Sequence, residues 1–144
     1  MRDYTKKVIR SVYAGVSKPY AKAVRVGDFV FCSGMAGIDP NTNQIVTGLT
    51  VRETVRLQTE MSVKKIEAIL KEAGSSLEDV FKTTILVVNL DHYDIINEVL
   101  HNMFPKNNPP ENHASTLMEV GLNPNGVLVE IEVIALVRND KGER

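Results

Sequence analysis

The sequence predicts an α+β fold, a single layer of about six mostly antiparallel strands with two helices on one face. Three observations predict it. Runs rich in β-branched residues alternate with clusters of Gly, Asn, Asp and Pro. One long segment, Thr50 to Ala73, repeats apolar residues at helical spacing. The segments follow the order β-β-β-α-β-α-β-β within 144 residues, and residues 1–144 read as one domain.

Each element has a local reason. Lys7 to Val12 reads as the first strand, and Ala21 to Val26 and Phe29 to Ser33 as a hairpin across Gly27-Asp28. "GIDPNTNQIVTG" is a turn-rich segment. Thr50 and Glu53 have capping-box spacing at the start of the long helix, and Gly74 stands where a C′ glycine belongs. Between them Val55, Thr59, Ser62/Val63, Ile66, Ile69/Leu70 and Ala73 form one stripe. "VFKTTILVVNL", Val80 to Leu90, is a strand. Asp91 to Met103 is a second helix, with Tyr93, Ile96, Val99/Leu100 and Met103 inward and Pro105 as its stop. Ser115 to Glu119 and Val127 to Val137 complete the strands. "ILVV" and "VLVEIEVIALV" are apolar at odd and even positions alike, so both sheet faces call for burial. Two helices cover one face; other copies of the chain are expected on the second.

Composition narrows the function classes. The hydrophobic share of 43%, the charged share of 24% and a formal charge of -1 are those of a soluble globular protein. The tight basic clusters, Lys6-Lys7 and Lys64-Lys65, are too short to track phosphates, which disfavours nucleic acid. A single cysteine, Cys32, excludes an intramolecular disulfide and a Cys-based zinc cluster. Neither a signal-peptide pattern nor an apolar run of membrane-spanning length is visible, so the expectation is an intracellular, cytoplasmic protein.

Several constellations have an ordinary reading. Asp39, Asn41 and Asn43 open like a calcium loop, but Gln44 and Thr50 stand where its glycine and glutamate belong, so the segment reads as a turn. His92, His101 and His113 lack metal-ligand spacing, and no metal site is expected. His113 reads as an exposed histidine at a loop edge, and Cys32 in "FVFCSG" as a small buried residue. His113 and Ser115 share a strand face without a nucleophile elbow. Glu130 and Glu132 interrupt the most apolar strand on one face, where a carboxylate must be paired or put to work.

Taken in order from Tyr20 to Arg138, the chain resembles the Rid/YjgF family of reactive-intermediate deaminases. The resemblance rests on "KPYAKAVRVGDFVFCSG", "GSSLEDVFKTTILVVNLDHYDIINEVL" and "VLVEIEVIALV" together. It implies the chorismate-mutase-like YjgF fold, a compact homotrimer and a small-molecule ligand held in clefts between subunits. It implies hydrolysis of 2-imino or enamine acids to 2-keto acids and ammonia, with no metal or organic cofactor. Residue by residue, Tyr20 matches the family's pocket tyrosine, Ser33-Gly34 its serine–glycine and Asn97 its helix asparagine. Glu130 matches the glutamate that holds or activates water, leaving Glu132 a structural role.

One position departs. Imine-hydrolysing relatives carry an arginine four residues before the glutamate of the strand "NHASTLMEV", to grip the substrate carboxylate; here that residue is Ser115. Losing one partner of a buried charge pair costs about 2–5 kcal/mol in binding. The hydroxyls of Ser115 and Thr116, with backbone N–H groups near Leu117, suit a neutral carbonyl or amide instead. Two functions follow. One is a deaminase acting on an imine, enamine or related C=N compound with altered specificity. The other is a non-catalytic trimer binding a metabolite or protein through the same clefts. Ribonuclease activity, attached to some relatives, is disfavoured by the near-neutral charge.

Overall fold

The computed structural model describes residues 5–138. Strands β1 (Lys6–Tyr13), β2 (Val16–Val26) and β3 (Phe29–Ala36) are followed by helix α1 (Val51–Glu72), strand β4 (Val80–Val87), helix α2 (Tyr93–Met103) and strands β5 (Ala114–Glu119) and β6 (Val129–Leu136). They form one six-stranded sheet in the order β1-β2-β3-β6-β4-β5. Every pairing is antiparallel except β4 with β5, the pair that α2 connects. β6 therefore lies between β3 and β4 and runs against both.

The long helix begins and ends where local chemistry dictates. The Thr50 hydroxyl accepts the Glu53 N–H at 3.1 Å, and the Glu53 carboxylate reaches back to the Leu49 N–H. Gly74 follows the helix at φ +84°, a conformation that glycine adopts without strain. The expected stripe is buried, and Gln58 and Lys65 are buried with it. Thr59 and Ser62 satisfy their hydroxyls on the carbonyls of Val55 and Gln58, one turn back.

Three expectations are corrected. β4 stops at Val87, because the Asn89 side chain takes the Asp91 N–H and starts a 3-10 turn over Leu90–His92. β2 starts at Val16 rather than Ala21, since the turn at Ala14-Gly15 folds β1 and β2 into a hairpin of their own. Tyr93 is exposed; the apolar stripe of α2 is Ile95, Ile96, Val99 and Leu100, one residue out of phase at its start.

Both helices pack on one face of the sheet. Along β6, Val129, Ile131, Val133 and Ala135 are fully buried beneath them. The opposite face is apolar and open. Phe29 pairs across the ladder with Leu136, and Phe31 with Ile134, while Phe29 and Phe31 are 45% and 47% exposed. Phe81 stacks edge-on against Phe29 at 6.1 Å, and Met118 is exposed on β5. The two-sided pattern of the sequence thus corresponds to one face buried within the chain and one left without cover by it.

Candidate functional site

A cavity of about 750 Å³ opens between β2, β3, β6, the turn-rich segment after β3 and the inner face of α1. Tyr20, Ser33, Gly34 and Glu130 all line it, as do Tyr13 and Lys65. The local fold explains the grouping. The β3–β6 ladder shifts register between Cys32 and Met35, so Ser33-Gly34 bulges where Glu130 approaches. A Cβ at position 34 would lie 2.7 Å from Glu130 Oε2, so the carboxylate rests against a surface that only glycine leaves free. The Ser33 hydroxyl donates to the Ala21 carbonyl at 2.6 Å and ties β3 to β2 beside it.

Glu130 is half-buried, and its carboxyl is raised above the ordinary range, first by burial and then by the like charge of Glu132, against a smaller opposing pull from Lys65. Glu132, on the same face two residues on, is exposed. Lys65 is almost entirely buried on α1; its ammonium donates to the Ala36 carbonyl at 2.7 Å and lies 4.9 Å from the centre of the Tyr13 ring. Burial pulls it down to about 8, and Lys18 adds to that, while Cys32, Glu130 and Asp39 oppose it. Lys18 reaches the same ring at 5.0 Å and donates to Asn43 Oδ1. Burial pushes the Cys32 thiol up to about 12, so at neutral pH it is a thiol and not a nucleophile.

Asn97 and Ser115 lie elsewhere. They share a smaller depression, about 220 Å³, formed by α2, β4, β5 and the loop between α2 and β5. No residue lines both recesses. Leu117 lines neither; its side chain is partly buried against the core. His113 corrects the expectation of an exposed residue: it is buried, with Nδ1 3.1 Å from the Thr83 hydroxyl and its ring 4.7 Å from that of Phe104. Burial lowers its pKa, so it is a neutral imidazole rather than a source of positive charge. Exposed His101 bridges Asn97 O and Glu111, and the carboxylate raises its pKa.

The expected calcium-like segment is a turn: the Asp39 carboxylate accepts the Asn41 N–H at 2.8 Å. Among the described residues no group of His, Cys, Asp and Glu is arranged to hold a metal ion. No helix among them is long and apolar enough to cross a membrane. Sequence reasoning missed Lys65, Lys18 and Tyr13. For Lys65 a signal existed, since it falls with Gln58, Ser62 and Ile69 on one line of α1 that is otherwise uncharged and buried.

A sheet of this topology, with two helices on one face, a glutamate-bearing cavity and a separate second recess, defines a six-stranded α+β protein. The profile of the family described as Endoribonuclease L-PSP matches residues 12–137. A RutC family protein of Pyrococcus abyssi is 39% identical over 117 residues, covering 81% of this chain and 85% of its own. The human 2-iminobutanoate/2-iminopropanoate deaminase is 31% identical over 137 residues, 94% of this chain and 93% of its own. Among solved structures, RidA from an Antarctic Psychrobacter superposes with a TM-score of 0.75 at 32% identity, over 91% of this chain and 99% of its own. The chain belongs to the Rid/YjgF family.

Proposed function

We propose that the protein is a Rid-type deaminase, hydrolysing a reactive imine, enamine or related C=N compound to a carbonyl and ammonia in a cleft between subunits of a homotrimer. The observation that carries this reading is Glu130: a half-buried carboxylate with a raised pKa, held against Gly34 in a cavity it shares with Tyr20 and Ser33. A carboxylate so placed suits a general base that must take a proton from water and return it within one turnover. Water adds to the C=N carbon as Glu130 accepts its proton. Glu130 returns that proton to the imine nitrogen, giving a carbinolamine; it then carries the carbinolamine hydroxyl proton to the amine nitrogen, the C–N bond breaks, and ammonia leaves a C=O behind. The deaminase activity named for the human relative, 31% identical to this chain, supports the assignment.

The trimer is supported by the open apolar face around Phe29, Phe31, Ile134 and Leu136. The cleft is supported by the division of the expected site into two recesses. In an assembly, Asn97 and Ser115 of one subunit complete the wall opposite Tyr20, Ser33 and Glu130 of the next. Ser115, Thr116 and the backbone near Leu117 then offer hydrogen bonds where an arginine is expected. No metal or organic cofactor enters the proposed reaction, and RNA is not the proposed ligand, given the net charge of -1.

The serine at 115 favours one second reading, a trimer that binds a ligand without turning it over. Imine hydrolysis separates the two. Imines generated by an amino-acid oxidase are offered to the protein in competition with semicarbazide. Activity in the wild type that falls by about 10²-fold or more in Glu130→Gln establishes the deaminase. A silent wild type that gains activity as Ser115→Arg marks an intact scaffold for another ligand, and silence in all three leaves the binding trimer.

A further inference from the structure

The cavity around Glu130 carries more positive than negative charge. Lys18 and Lys65 stand in its wall with Glu130 as the single carboxylate, and both ammonium groups lie within 5.0 Å of the centre of the Tyr13 ring. Across the second recess the cationic groups are weak: His101 is paired with Glu111, and His113 is held neutral. Lys65 is the unusual member. Its residue is 7% exposed, its ammonium has three donors, and one of them goes to Ala36 O. None of the ion pairs among the described residues involves it. A buried ammonium with two N–H groups to spare is costly to keep unless a ligand completes its shell.

We infer that Lys65, assisted by Lys18, binds the carboxylate of an anionic substrate, so that the cation expected at position 115 is supplied instead from the Glu130 side of the cleft. The inference rests on the deaminase reading; what it adds is the residue, Lys65 in place of the missing arginine, that would let this chain hold the carboxylate of a 2-imino acid rather than only neutral imines. In such a molecule the C=N carbon is bonded directly to the carboxylate carbon. Gripping the carboxylate at Lys65 therefore brings the reacting carbon into the cavity that Glu130 lines. Lys65 is a binding and positioning residue here, and Glu130 remains the base.

Binding of 2-oxobutanoate, a 2-keto acid product, tests this without requiring turnover, with butanone as the neutral probe. Both are titrated by NMR into the wild type, Lys65→Met, Lys18→Met and Lys65→Arg, with melting temperatures confirming the fold. The wild type is expected to prefer 2-oxobutanoate, and Lys65→Met to weaken it by at least about tenfold with butanone unchanged. Lys18→Met weakens it by a smaller factor. A pH series adds a readout that a structural role does not move. The groups facing the Lys65 ammonium are Glu130, Asp39, Cys32, Lys18 and Tyr13. Of these, Tyr13 and Cys32 titrate near 12, so affinity that falls as pH rises through about 8 reports Lys65 itself. Lys65→Arg, which stays charged, abolishes that fall and keeps the proposal testable if Lys65→Met does not fold.

Affinity that is independent of pH across this range, or unchanged in folded Lys65→Met, overturns the inference even if imines are hydrolysed briskly. Lysine-dependent binding in a protein that hydrolyses no imine sustains the anion site and overturns the deaminase reading instead.

Discussion

At the scale of single residues, the proposed chemistry turns on Glu130 and what touches it. Its carboxyl is raised by burial and by Glu132, and a general base works only when ionised. The rate of imine hydrolysis is therefore expected to rise with pH through a value above the usual carboxylate range. Glu132→Gln removes the like charge, lowers the Glu130 pKa and moves that limb to lower pH; a pH–rate profile of the two proteins reads the displacement directly. Gly34→Ala is a second probe. Its new Cβ overlaps the Glu130 carboxylate, so turnover is expected to fall about tenfold or more while the melting temperature changes little, since the clash is with the end of a flexible side chain.

At the scale of elements, α1 connects packing to the cavity through Gln58. Fully buried, its amide donates to Val46 O at 3.0 Å and Gly126 O at 2.9 Å, and accepts the Leu128 N–H at 2.8 Å. It thereby clamps the segment after β3 and the loop before β6, both of which contribute to the cavity rim. Gln58→Leu keeps the volume and removes all three bonds, stranding polar backbone groups at a cost of about 1–3 kcal/mol each. A loss of roughly 3–5 kcal/mol in unfolding free energy is expected in a urea titration, together with reduced affinity for ligands of the cavity. The exposed ion pairs that link α1 to α2, Arg52–Asp94 and Arg56–Glu98, contribute little by comparison.

At the scale of the whole molecule, the open sheet face and the divided site lead to one prediction. Phe31→Glu places a charge in the apolar patch at a residue that does not itself line the Glu130 cavity. If the protein assembles as proposed, with Asn97 and Ser115 of one subunit facing Glu130 of the next, sedimentation velocity is expected to show dissociation and imine hydrolysis is expected to vanish with it. Full activity in a dissociated Phe31→Glu protein would place the complete site within one chain.

The sequence by itself determined the elements, because helical and alternating periodicities, caps and turn residues act over a few positions. It determined that both sheet faces are apolar, and through the order of its motifs it pointed to Tyr20, Ser33, Gly34, Asn97, Ser115 and Glu130. What only the tertiary structure decided is which of these meet. Four converge because the β3 bulge meets β6, while Asn97 and Ser115 collect beyond β4, and Leu117 turns into the core. His113 and Lys65 show the same limit. One was expected outside and is buried; the other belongs to a basic dipeptide whose first member, Lys64, is exposed while the second is enclosed. Burial and electrostatic environment are sums over neighbours distant in the chain, and such sums are fixed only when the sheet and helices close around them.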